Sequence, residues 1–134
     1  MLEIQFGIPR PTRFRLLRSG RKRIRMVSEA VYNLLVQQPF AGPVGLYIGE
    51  YNPRVIRLSM DGAQLLGSTA SKNIIELDEK QAQAWLQGKP MNYKAKHKGY
   101  VIVVNQGAIL GCGRLSEGVL HSYVPKVRRL KASS

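Results

Sequence analysis

The run GYVIVVNQGAILGCGRLSEGVLHSYV, which begins at Gly99, constrains the fold more than any other part of the chain. Tyr100 to Val104 is a short β-branched and apolar run, Asn105-Gln106-Gly107 is a turn, and Ala108 to Leu115 is a second strand. Glu117-Gly118 turns the chain again into a third strand, Val119 to Val124. The pattern predicts part of a small β-barrel. Gly111 and Gly113 lie two apart and share one face of their strand, where missing side chains make either a barrel bend or room for a ligand or another backbone.

The remaining pattern is mixed. In TRFRLLRSGRKRIRMV, Phe14 and Leu16 alternate with Arg13 and Arg15, while Ile24 and Met26 alternate with Arg23 and Arg25, around a turn near Ser19-Gly20. An odd-length loop keeps the two apolar sets on one face, and the expected register pairs Phe14 with Met26, Leu16 with Ile24 and Arg15 with Arg25. Like charges directly across a strand pair are unfavourable without a compensating anion, so this face is a candidate phosphate-contact surface. A packing helix follows, with Ser28 as N-cap, a stripe of Ala30, Val31, Leu34 and Leu35, and Pro39 limiting its length. Gly45 to Ile48 and Arg54 to Leu58 read as strands. Ser59 to Leu66 reads as a short helix ended by Gly67, with Gly62 as an internal weakness.

The small polar segment Gly67 to Ser71 needs no core and marks a boundary. Asn73 to Leu77 is then a strand, and Asp78 opens a helix in which Gln81 completes a capping box. Trp85 sits at helical spacing from Ala82 and reads as core rather than as a base-stacking platform, and Gly88-Lys89-Pro90 ends the helix. The expected architecture is α+β, with an accessory α+β domain carrying the basic hairpin in residues 1–69 and a β-barrel with one capped helix in residues 70–134.

Charge gives the partner class. Residues 1–25 carry a net +7, residues 26–93 a net −1 and residues 94–134 a net +7, making up the +13 of the chain. Like-charged ends around a neutral centre suit a polyanion, with nucleic acid the first candidate. Neither basic block lies on an amphipathic helix with a large apolar face, so a membrane surface is a weaker match. No apolar run approaches the roughly 20 residues of a membrane span, and the basic N-terminal region lacks the apolar core of a signal peptide. With one cysteine, Cys112, there is no internal disulfide, and a cytoplasmic protein is expected.

In this order the elements resemble a known family. From Leu77 to Arg129, a helix ending in Trp85-Leu86 and Gly88 leads to Gly99-Tyr100, to Leu110-Gly111 with Gly113 and Arg114, and then to Leu120 and Pro125-Lys126. This is similar to the C-terminal PUA-like RNA-binding region of NOL/NOP/Fmu (RsmF-like) RNA 5-methylcytosine methyltransferases, here without the enzyme. Phe6-Gly7-Ile8-Pro9, Gly45 to Gly49 and Arg57-Leu58 are similar to the accessory segment that precedes that region. The sequence departs from the family pattern at Cys112, where a tryptophan is frequent, at Val127, where glycine is usual, and at Val124, where tyrosine is frequent.

The resemblance implies a PUA-like fold and binding of rRNA or tRNA in ribosome biogenesis or RNA modification. It places Arg114, Lys126 and Arg129 at basic positions of the motif, as phosphate contacts. The candidate RNA-binding set also includes Arg128 beside them, Lys94, Lys96 and Lys98 with His97 in a basic loop, and Arg13, Arg15, Arg23 and Arg25 of the hairpin. Val119, His121 and Tyr123 share a strand face opposite Leu120 and Ser122. Tyr100, His121 and Tyr123 are therefore candidates to stack on an unpaired base, Tyr123 having a core role as the alternative.

No cofactor, metal or catalytic residue is expected. The family's methyl transfer needs a Gly-rich cofactor loop and a nucleophilic cysteine after proline or threonine, and the sequence has neither. Cys112 between two glycines reads as a small buried hydrophobe. His97 and His121 have no neighbours at metal-ligand spacing. Two other readings remain: a non-catalytic subunit that completes an RNA-modifying enzyme, with a methyltransferase or pseudouridine synthase as partner, and a protein-docking scaffold in ribosome assembly.

Overall fold

The computed structural model describes residues 1–10, 13–38, 42–96 and 98–131; Pro39 and His97 lie outside the described residues. Two antiparallel hairpin systems dominate. The first sheet has the order β1-β2-β3-β4, with β1 Phe14–Ser19, β2 Arg23–Ser28, β3 Leu46–Tyr51 and β4 Ile56–Leu58. The second comprises β5 Ile74–Glu76, β6 Met91–Asn92, β7 Gly99–Asn105, β8 Ala108–Ser116 and β9 Val119–Ser122, in the order β5-β7-β8-β9-β6. It is a curled half-barrel within an α+β fold.

The three consecutive strands at its centre follow the sequence pattern closely. Gln106 and Gly107, and again Glu117 and Gly118, take positive φ, as tight two-residue hairpin turns require. Within β8 the pairing shifts between Val103 opposite Gly111 and Val104 opposite Ile109, so Leu110 is the extra residue of a bulge. β5 joins β7 in parallel, which needs a crossover, and that crossover carries the helix α4, Glu79–Leu86. Asp78 accepts from the Gln81 amide at 2.7 Å while the Gln81 side chain accepts from the Asp78 amide at 3.0 Å, the expected capping box.

β7 is buried on both faces, which explains its continuous apolar run. Val101 and Val103 face a cluster with Trp85, Leu77, Leu115 and Leu120. Ile102 and Cys112 face a second cluster with Phe6, Ile24, Ile48 and Leu58 from the first part of the chain. In the segment expected to need no core, Ser68, Thr69 and Ser71 are exposed, but Gly67 is buried against Ile102 and Ile109, and the Ser71 and Lys72 amides donate to the Phe6 carbonyl. Phe6 itself ends a short helix, α1, Leu2–Phe6, which has too few residues to show a periodicity in the sequence.

Two local expectations are corrected. The first hairpin has the odd-length loop, but its register is slid by two residues: Leu16 faces Met26, Arg15 faces Val27 and Leu17 faces Arg25. The loop is Gly20-Arg21-Lys22, with φ of 64° at Gly20, and the slide separates Arg15 from Arg25. The helix after it, α2, Glu29–Gln37, is capped by Ser28 as expected but buries none of its residues, so it is not a core helix. The helix α3, Met60–Leu66, is capped by Ser59 and ends at Gly67 as expected, and a 3-10 turn, Gly67–Thr69, follows it.

Gly62 strengthens α3 rather than weakening it. A Cβ there would collide with the Ile48 carbonyl of β3, so glycine is what lets the helix lie against the strand. Gly62→Ala is expected to cost about 1–3 kcal/mol through overpacking, read as a lower urea midpoint with unchanged slope.

Candidate nucleic-acid interface

The two glycines of β8 hold no ligand space. Side chains built on them would meet Trp85 of α4, at 2.8 Å from Cη2 for Gly111 and 3.3 Å from Nε1 for Gly113. The glycine-lined face is therefore filled by the protein's own indole, which is fully buried. Of the readings the sequence left open for this face, room for a ligand is not realised. Ser122 helps to seat the helix, donating from Oγ to the Trp85 carbonyl at 2.9 Å.

The basic and aromatic groups converge elsewhere. On the second sheet Arg114 pairs with Tyr100 on one side and with His121 on the other, so the three form one cross-strand row. The Tyr123 ring lies 6.0 Å from that of Tyr100. Arg57 of β4 reaches over from the first sheet, with its guanidinium carbon 5.1 Å from the Tyr123 centroid. Burial raises the Tyr100 phenol above its ordinary pKa, reinforced by Tyr123 and opposed by Arg57 and Arg114.

Arg57 also closes a row on the first sheet. Glu50 pairs with Arg57 across β3 and β4 and with Arg23 across β2 and β3, and its carboxylate forms an ion pair with Arg57 at 3.1 Å. Burial opposes the charge on Arg57, but Glu50 and Tyr47 outweigh it and raise the pKa above that of free arginine. Arg23 sits 6.0 Å from the Tyr47 ring centroid, and Arg25 faces Tyr47 in the strand register. Together with Arg21 and Lys22 of the turn, Arg23, Arg25, Pro43 and Glu50 line an open concavity. Four cations with one carboxylate make it anion-attracting.

The other sequence candidates are less uniform. Arg15 is engaged internally: it makes two hydrogen bonds to Glu29, at 2.9 and 3.0 Å, and stacks 4.7 Å from the Tyr32 centroid. Its hydrogen bond holds the Glu29 carboxyl below its usual range. Arg25 donates to the Gly45 carbonyl at 3.1 Å. Arg128 pairs with Asp61 of α3 at 2.8 Å, and Arg129 donates to the Val124 carbonyl at 3.0 Å while lying over Gly88. Arg13, Arg114, Lys126, Lys94, Lys96 and Lys98 are exposed and make no ion pair among the described residues. The lysines at 94, 96 and 98 lie in the loop that leads into Tyr100.

Arg57 and Tyr47 were not singled out in the sequence as contact residues. Their importance comes from how the first sheet meets the second, which no local pattern encodes. The alternation of Tyr47, Gly49 and Tyr51 was the one available signal.

Residues 72–130 match the family model described as the methyltransferase RsmF PUA domain. The segment is therefore similar to a PUA domain of RsmF-like methyltransferases, over a little under half of the chain. PUA domains are non-catalytic RNA-binding modules, and the PUA-like region here supplies Tyr100, Arg114, His121 and Tyr123 to the surface just described, the first sheet supplying the rest. No curated protein matches the chain. No cluster of potential metal ligands occurs among the described residues, nor is any helix among them long and apolar enough to cross a membrane.

Cys112 packs in the inter-sheet core, where burial pushes its thiol up to about 12. It should stay protonated at pH 8 and resist a maleimide reagent in the folded protein, with full labelling only after urea unfolding, as read by mass spectrometry.

Proposed function

We propose that the protein binds RNA across the surface on which Arg57 joins the two sheets. The observation that carries this reading is the continuity of the cationic first-sheet concavity with the Tyr100, Tyr123, Arg114 and His121 cluster through that one side chain. The cations would follow the phosphates, and an unpaired base would extend the Tyr123–Arg57 stack on the open side of the guanidinium. Single-stranded or looped RNA is favoured over a regular duplex, because bases are accessible there to stacking groups.

On this reading Arg23 and Arg25 contact phosphates at one end of the path, and Arg114 with Lys94, Lys96 and Lys98 at the other. Lys126 extends the path on the C-terminal side. Arg13 is the hairpin's outlying cation, while Arg15, Arg128 and Arg129 contribute field from fixed positions. The bound RNA is an rRNA or tRNA in ribosome biogenesis or RNA modification, in the cytoplasm. The protein acts as a recognition module without turnover of its own, and a methyltransferase or pseudouridine synthase is the partner class that would supply chemistry.

Binding measured against salt should give a log–log slope of about −0.7 per phosphate contacted, as for single strands, and a salt-insensitive or absent association would refute the proposal. Tyr123→Ala should weaken binding to an unpaired loop by about 1–3 kcal/mol with an unchanged salt slope. Charge reversal of Arg114 and Lys126 together should instead lower both affinity and slope. If such a variant keeps RNA affinity but loses a protein partner, the docking-scaffold reading replaces this one.

A further inference from the structure

We propose that the open edge of β1 takes up an extended acidic segment of a partner protein as an added strand. β1 pairs with β2 alone, so among the described residues one side of its six-residue backbone meets no other strand. Exposed strand edges are usually short or covered. Here the edge is bordered by apolar side chains instead, Phe14 being 44% and Leu16 37% exposed.

Two concavities flank this edge. One, of about 200 Å³, is lined by Arg10, Phe14, Arg15, Leu16 and Tyr32. The other, of about 260 Å³, reaches from Leu16 to Leu2, Ile8 and Ile56. Leu16 and Arg10 belong to both. An added strand presents its side chains alternately to opposite faces, so backbone pairing would supply affinity and these hollows would receive alternate apolar side chains.

Charge selects the occupant. Arg10, Arg13 and Arg15 lie along or beside the edge, while Arg18 turns back over the Tyr51 ring of β3; among the described residues only Arg15 has an acidic partner there, Glu29, and Glu3 is the one carboxylate lining the second hollow. Acidic residues between the apolar ones of the incoming segment would complement them. A second copy of the chain is disfavoured, because two +13 molecules repel and a centred antiparallel β1 pair would set Arg15 against Arg18. RNA would also be drawn to these arginines, but it has no extended peptide backbone to pair with the β1 edge and no apolar side chains to fill the hollow at Leu2, Ile8 and Ile56.

A fluorescein-labelled peptide of alternating Glu and Val, as long as β1, is the probe. It should bind saturably by anisotropy, shift amide resonances of Phe14–Ser19 in the full chain, and persist when RNA occupies the Arg57 surface. Arg10→Glu should weaken it about tenfold, as reversal of a complementary charge does. The same peptide with N-methylated backbone amides keeps its charge and should lose binding, because the strand hydrogen bonds are gone. Equal binding by the N-methylated peptide, or shifts confined to Arg23, Arg57 and Tyr123, would overturn the proposal as general electrostatic attraction. Concentration-dependent dimerisation with shifts in β1 would overturn it in favour of a second copy. Loss of RNA binding alone leaves the peptide result standing, so the two readings fail separately.

Discussion

The packing of Trp85 against two glycines organises the second half of the molecule. A large ring can lie flat on a strand only where that strand lacks side chains, and Gly111 and Gly113 provide that space. α4 is thereby fixed in the curl of the half-barrel, and the opposite face of β8 is left to Cys112 and the core shared with the first sheet. Among the described residues the buried indole Nε1 meets no hydrogen-bond acceptor, so the fit of the ring rests on packing.

Because the inner face is filled by protein, the exposed cations and the Tyr100–Tyr123 pair lie on the rim and on the first sheet. Arg57 is the hinge of that arrangement in a chemical sense. It balances Glu50 on one sheet and covers Tyr123 of the other, so its position depends on both units being folded and in contact. The neutral centre of the sequence thus contributes the side chain that joins two positively charged ends.

What the sequence revealed followed the range of the interactions. The capping box at Asp78 and Gln81, the tight turns at Gln106-Gly107 and Glu117-Gly118, and the burial of Trp85 and Cys112 depend on neighbours a few residues away or on simple hydrophobicity, and all were legible. The hairpin slide was not, because alternation fixes which face a residue takes but leaves register free by steps of two. The exposure of α2 was equally hidden: its aliphatic stripe fits a buried helix, yet Leu34 and Val36 remain largely in solvent. At the candidate surface, His121 and Tyr123 were readable from the alternation of β9 and its exit, and Arg114 from the family resemblance. Arg57 required knowledge of which sheet edges meet.

The C-terminal segment acts as a strap with a thermodynamic consequence. The Leu130 amide donates to the Leu86 carbonyl, Arg129 donates to that of Val124, and Arg128 crosses to Asp61 on α3. Any anion that takes Arg128 must displace a carboxylate already in place, so its gain at that position is the difference between two ion pairs rather than the whole of one. The same exchange would undo this one tie between the strap and α3, leaving the Leu130 and Arg129 hydrogen bonds to hold it in place.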